Sequence, residues 1–255
     1  AEFGGADEHR NDILVLPTVE FFPATDAKGD EFAREMFDIV KRCAGLEEWP
    51  TRLEKGLATQ QHKAVQPGFG IHHPSGDALG TFEVETTGDG KHVAVVTYAA
   101  DQADHPVSLV ATLAHELAHC LMSTAATSPP GGWDIHELTT DLTAVFLGFG
   151  IFLGNSARTS RAFTEFDQQG WETRGQGYLS ERALMTALAI SETLAGRDPL
   201  AAAPHLKPYL AKDLKLAARY AASRDLAADM AAIDLADYGV APMPDREAEA
   251  APSLM

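Results

Sequence analysis

His115-Glu116-Leu117-Ala118-His119 is the stretch on which the reading of this chain turns. In a helix, positions four apart lie one above the other, so the two imidazoles face the same way and can grip a single metal ion. Glu116 follows the first histidine and can reach a water on that metal without ligating it. The surroundings read as helix. Pro106 suits a first turn, Asp104 or His105 can cap it, and residues 107–122 contain neither Gly nor Pro. Leu109, Val110, Leu113, Leu117 and Leu121 form an apolar stripe that would bury the helix.

Two histidines do not complete a catalytic metal site, which usually takes three protein ligands and keeps one position open. Seventeen residues separate His119 from Glu137, which begins the run Glu137-Leu138-Thr139-Thr140-Asp141 and leads into an apolar helix ending near Phe152. Glu137 and Asp141 share one helical face and are the only acids between Ile135 and Phe152. Glu137 also fits as the N3 member of a capping box with Asp134 as N-cap, a purely structural role. Capping does not account for Asp141, an acid one turn further into so apolar a helix. Glu137 is the expected third ligand, with Asp141 or His136 as substitutes, since oxygen and imidazole both suit zinc.

Together these two helices resemble those of the gluzincin metallopeptidases, in which H-E-x-x-H is followed by a second helix carrying E-x-x-x-D. The resemblance spans about residues 93–152, under a quarter of the chain. It implies a zincin-like α+β fold, with a small antiparallel or mixed sheet, two metal-bearing helices and a helical C-terminal part. It also implies one zinc ion held by His115, His119 and Glu137, with Glu116 as general base. Asp141 would then accept the free ring N–H of a ligand histidine and fix its tautomer. Gluzincins commonly draw an oxyanion-stabilising Tyr or His from the C-terminal helical part. Tyr178, His205 and Tyr209 are the candidates here, with Arg182 as a charged option, and no pattern selects among them. The metzincin pattern fails, because Met122 stands where it needs Gly and Ala125 where it needs a third His. A deaminase-type H-x-E with P-C-x-x-C is absent too.

Composition narrows the partners. The chain has 255 residues, enough for one substantial core, and carries 20 Lys plus Arg against 37 acids, a net charge of −17. That charge opposes polyanions, so neither nucleic acid nor an anionic membrane is an expected partner; the gluzincin resemblance implies a peptide or protein substrate. Cys43 and Cys120 are the only cysteines, which is no disulfide framework. Cys120 adjoins His119 but points about 100° away around the helix, so a small buried residue is expected there. The apolar run 142–153 is shorter than a membrane span. Residues 1–12 are polar and acidic, and Ala1 stands where an initiator Met would, which leaves any removed leader unread. The cytoplasm is the expected compartment.

Elsewhere the chain reads as follows. Residues 13–16 are a short apolar run closed by Pro17, a candidate strand, and 30–46 form an amphipathic helix with Gly45 near its end. Residues 47–75 are mixed and broken by Pro and Gly. His72-His73 there is no metal pair, because adjacent residues diverge in regular structure. Residues 81–86 and 92–99 read as a hairpin, and by resemblance to zincins its edge would align a peptide by backbone pairing. Residues 155–177 carry charges, glycines and scattered aromatics, too long for a plain connector and a candidate cleft lid. Ser180 caps a helix to Leu194, with Leu179 and Leu184 as its hydrophobic staple and Gly196 as its stop. Two further helices cover 208–222 and 225–237, and 240–255 reads as a disordered tail. The domain reading is 1–152 as the sheet and metal-binding part, 153–239 as a helical part of the same unit, and 240–255 as tail.

The expected function is zinc-dependent hydrolysis of peptide bonds. A zinc hydrolase acting on small amides or esters is one alternative. The other is a non-enzymatic interaction module with a vestigial zinc site, against which Glu116 argues, since a structural site has no use for it.

Overall fold

The computed structural model of the protein describes residues 13–56, 80–86, 88, 92–125, 127–165, 168–175 and 178–238. The readings of His72-His73 and of the tail from 240 lie outside these residues. The fold is mixed α+β. Helix α1 (Gly29–Cys43) is followed by strands β1 (Thr51–Gly56), β2 (Gly80–Thr86) and β3 (His92–Ala99), then by helix α2 (Pro106–Met122). Helices α3 (His136–Ala144) and α4 (Gly150–Ser156) flank a π-helical turn at Val145–Phe149. A hairpin of β4 (Arg158–Glu165) and β5 (Gln168–Gly175) comes next, then α5 (Glu181–Leu194), α6 (Pro208–Ala222) and α7 (Leu226–Ala231).

The three-stranded sheet has the order β1-β3-β2, with β1 parallel and β2 antiparallel to β3. The expected hairpin is therefore β2–β3, in a register that sets Phe82 opposite Val96 and Gly80 opposite Tyr98. On one face of β3, Val96 and Tyr98 are buried in the core that α1 and α2 fill. Strand β1 was hidden in the mixed segment, because Arg52, Glu54 and Lys55 give it the polarity of a loop. Its position beside β3 makes β2 and β1 the two edges.

Helix α2 runs through the middle of the protein. Four of the five stripe residues are buried, with Leu109, Leu113 and Leu117 fully so and Leu121 only partly, but Ala111, Ala114 and Ala118 on the other sides are buried as well. A helix apolar all round is one packed on all sides, and α2 touches α1, α3, α4 and both β2 and β3. Each of the three leucines contributes roughly 1.5–3 kcal/mol by leaving water. No side chain caps α2; Pro106 simply starts it.

The second apolar helix is interrupted. Gly148 takes φ 97°, which only glycine adopts without strain, and a Cβ there would lie 2.1 Å from the carbonyl oxygen of Ile13. Val15 N–H donates to the Gly148 carbonyl at 3.1 Å. The run 13–16 is thus no strand: it docks its backbone on the helix kink, with Val15 buried. From Trp133 to Ser156 the chain is helical over 24 residues, with a mean hydropathy of 1.3 in its most apolar window. By length and composition alone that suffices to cross a membrane, yet 61% of the window is buried inside the protein.

Three further readings change. The segment 155–177 begins as the end of α4 and continues as the β4–β5 hairpin, whose polar strands carry no apolar alternation to betray them. The first helix ends at Cys43, with Ala44 bonding back to Val40, and Leu46 enters the core beyond it. The stretch 225–237 splits into α7, capped by Asp225, and a 3-10 turn at Leu235–Tyr238. The α5 reading holds: the Ser180 hydroxyl accepts from Ala183 N–H at 3.2 Å. Leu179 packs on the core beside buried Leu184, and Gly196 follows the helix with φ 72°. Helices α5 and α6 close the core through Leu184, Leu188, Leu210 and Leu214.

Candidate metal centre

Helix α2 brings His115 and His119 to one face, and α3 crosses it so that Glu137 meets both. Nε2 of His115 and Nε2 of His119 are 3.0 Å apart, and Oε2 of Glu137 lies 3.3 Å from each. Four ligands at the usual Zn–N and Zn–O lengths, about 2.0–2.1 Å, stand about 3.3 Å apart at the corners of a tetrahedron. Two edges of the His–His–Glu triangle have this length and the third is slightly shorter. The group could hold a metal ion, and it is almost enclosed: His119 is buried, while His115 and Glu137 keep 12% and 19% of their side-chain surface.

The second nitrogen of each histidine is fixed from α3. Oδ1 of Asp141, which is buried, lies 2.9 Å from Nδ1 of His115. A carboxylate can only accept, so Nδ1 of His115 carries a proton, and Nε2 is the nitrogen turned toward Glu137 and His119. The Thr140 hydroxyl lies 3.3 Å from Nδ1 of His119 and donates its single proton to the His136 carbonyl at 3.0 Å. Sδ of Met122, at 3.4 Å, is a second acceptor for that proton, and with the proton given to either one the hydroxyl accepts from Nδ1–H of His119. Two successive residues of one helix thus set both ligand tautomers, the arrangement that orients metal-binding histidines. Asp141 faces the far nitrogen of His115 and not the ligand triangle, so it is not the third ligand. Neither is Glu137 part of a capping box: the N-cap of α3 is Ile135, with no side-chain cap, and a 3-10 turn at Trp133–Ile135 precedes it.

Glu116 follows His115 on α2 with its carboxylate buried, and its Oε2 has no hydrogen-bond partner among the described residues. The start of β2 presses against it. A Cβ on Gly80 would lie 2.8 Å from Oε1 of Glu116, 2.6 Å from Cγ2 of Thr112 and 2.9 Å from the Thr97 carbonyl. Glycine is what lets the strand backbone approach this carboxylate. Two residues along, the Phe82 ring lies parallel to His119, at 9° and 6.4 Å between centroids.

Charge follows from burial and neighbours. Burial pushes Glu116 up to about 7, with Glu137 adding to the rise and His115 opposing it. Burial disfavours the charged form of His115, but Asp141 and Glu137 outweigh it and raise the group to about 10. His119 is lowered to about 4 by burial, against the pull of Glu137. Burial would raise Glu137, yet the imidazoles of His115, His119 and His136 hold it far below the usual carboxylate range. The triangle therefore offers an ionised carboxylate, as ligation requires.

Of the oxyanion candidates, Tyr178 is at the centre. Its ring stacks on His115 at 5.8 Å and 22°, and its hydroxyl is raised by burial and by the charges of Glu137, Glu116 and Asp141. Backbone N–H groups of Tyr178 and Leu179 donate to Oδ2 of Asp141 at 2.7 and 2.8 Å. Tyr209 and His205 belong to the C-terminal helical layer. The Tyr209 hydroxyl donates to Glu181 at 2.6 Å, and the His205 carbonyl accepts from Asn155 at 2.8 Å. Arg182 is exposed on α5. Cys120 is a buried thiol, pushed up to about 11 by burial, and is outside the ligand triangle.

Sequence reasoning missed Thr140, Gly80 and Phe82. Thr140 sits between Glu137 and Asp141 on a face already marked by acids, and that position was its only available signal. The other two reach the centre through sheet register, which sequence spacing does not encode. No protein-family model, no curated protein and no solved structure matches the chain.

Proposed function

We propose that the protein is a zincin-like zinc hydrolase that cleaves peptide bonds, with His115, His119 and Glu137 as ligands and Glu116 as general base. The observation that carries this reading is the buried Glu116, one oxygen of which has no partner among the described residues, next to His115 in sequence and within electrostatic reach of both His115 and Glu137. A structural metal site needs three or four ligands but no such carboxylate. Zinc suits the set, since two imidazoles and one carboxylate with an open fourth position make up a known catalytic zinc site. When bound, the ion would supply a nucleophilic water near neutral pH and polarise the substrate carbonyl.

The residues of the chain would do the rest. Glu116 would take the proton of that water and hand it on to the leaving amine. Asp141 and Thr140 would keep both imidazoles in the ligating tautomer. Tyr178, half-exposed beside His115, is the candidate to donate to the developing oxyanion. Strand β2 is an edge of its sheet beside Glu116, so an extended peptide could add to it by backbone pairing.

The test compares substrates on zinc-loaded protein. Turnover of unstructured casein-like polypeptide, abolished by a chelator and restored by zinc, is the expected result. Turnover of small esters or amides alone would move the assignment to a non-peptidase hydrolase. Metal binding with no turnover of either would leave an interaction module.

A further inference from the structure

Among the described residues, His136 is the imidazole at the centre that neither the ligand triangle nor the mechanism uses. It opens α3 and is buried, with 9% of its side-chain surface accessible. Its ring is held between two others: His119 stacks on it at 4.9 Å and 26°, and Trp133 lies at 5.8 Å and 40°. The Thr140 hydroxyl ties its carbonyl. So held, the ring turns Nδ1 inward, where that atom is buried with no hydrogen-bond partner among the described residues. Oε1 of Glu137 lies 3.7 Å from it.

The two oxygens of Glu137 thus face different neighbours. Oε2 meets both Nε2 atoms of the ligand histidines, and Oε1 faces Nδ1 of His136. A buried ring nitrogen is rarely left without a partner, and closing 3.7 Å to hydrogen-bond length takes less than one ångström of side-chain rotation. We propose that His136 is a positioning residue for the metal-binding carboxylate: its Nδ1–H donates to Oε1 of Glu137, so that Oε2 alone is offered to the ion. A carboxylate free to use both oxygens would occupy two positions on the metal and crowd the open one that a hydrolase must keep. The inference rests on the metal reading above.

The experiment uses the whole chain with zinc or cobalt(II) as the probe. His136→Phe keeps a ring between His119 and Trp133 but removes the donor. His136→Asn removes the ring but returns an N–H close to the position of Nδ1. Zinc affinity, read by competition with a chelator, should fall about 10- to 100-fold in His136→Phe, the usual cost of losing a group that orients a ligand. The visible spectrum of the cobalt form should lose intensity as the coordination number rises. His136→Asn should recover most of the affinity and the wild-type spectrum, which a role in packing alone would not produce. Unchanged affinity and spectrum in His136→Phe, or no recovery in His136→Asn, overturns the proposal.

A readout independent of the variants is the side-chain nitrogen NMR of the zinc-loaded wild type. It should show His136 protonated on Nδ1, and a bare Nδ1 would refute the hydrogen bond whether or not either variant folds. Wild-type protein that takes up neither ion removes the metal reading and this inference with it. Metal uptake by the wild type with indifferent variants removes this inference alone.

Discussion

Oδ1 of Asp141 lies 2.9 Å from Nδ1 of His115, while the other oxygen of the same carboxylate receives the backbone N–H groups of Tyr178 and Leu179. One buried side chain therefore joins a ligand histidine on α2 to the turn that precedes α5. It fixes the tautomer of the ligand and, by the same hydrogen bonds, brings the Tyr178 ring beside it. The placing of His115 and of the Tyr178 ring thus depends on one carboxylate that lies outside the His115–His119–Glu137 triangle.

This makes Asp141→Asn informative. An amide has one oxygen and one NH2 group where the carboxylate had two acceptors. With the oxygen toward Tyr178 and Leu179, the NH2 faces Nδ1 of His115 and forces the proton onto Nε2, the ligating atom. With the oxygen toward His115, the NH2 meets two backbone N–H groups. Either way one side is lost. Zinc affinity should fall about 10- to 100-fold. Thermal unfolding should report a loss of about 1–3 kcal/mol for the unsatisfied buried groups. Wild-type affinity together with wild-type stability in this variant would contradict the linkage.

Glu116→Gln separates binding from chemistry. Glutamine keeps the size of the side chain but cannot accept a proton, and general-base catalysis typically contributes about 100- to 10,000-fold. Peptide turnover by the zinc-loaded variant should drop by about that factor while zinc stoichiometry stays at the wild-type level. Near-wild-type turnover would remove Glu116 from the base role. Loss of zinc would make it a ligand instead.

Gly148→Ala tests how the helix kink and the N-terminal segment hold each other. The substitution places a Cβ 2.1 Å from the Ile13 carbonyl and imposes φ 97° on a residue with a side chain. Strain at such a backbone position costs about 1–3 kcal/mol, before the segment 13–16 is displaced from the core. Denaturant unfolding should show at least that loss, with zinc binding by the folded protein little changed because the kink lies beyond α3. A neutral substitution would mean that this contact is not formed as described.

How much of this was readable in the sequence follows from the range of the contacts. The pairs His115/His119 and Glu137/Asp141 were legible because the helical repeat alone puts residues four apart on one face. The role of Asp141 toward a histidine and the N-cap of α5 at Ser180 could be read for the same local reason. Spacing left Glu137 with two competitors for its role, Asp141 and His136, and only the crossing of α3 over α2 separates them. Tyr178 reaches His115 from 63 positions away, across a hairpin whose strands have no apolar alternation, so no pattern could choose it over Tyr209 or His205. Strand β1 pairs in parallel, and its partner lies about 40 residues further on. A parallel pair needs a long crossover, and local sequence says nothing of where it ends. Gly80 looked like any loop glycine, and its significance is the carboxylate that packs against it.

The central claim is that His115, His119 and Glu137 hold one zinc ion. Metal analysis of protein purified without chelator, done in parallel on wild type and Glu137→Ala, addresses it most directly. About one zinc per chain is expected in the wild type. Glu137→Ala should lose most of it, together with the stabilisation a bound ion confers, about 2.7 kcal/mol when free zinc is 100 times the Kd. Wild-type protein that stays free of zinc after equilibration with the ion would contradict the account, as would full zinc occupancy in Glu137→Ala.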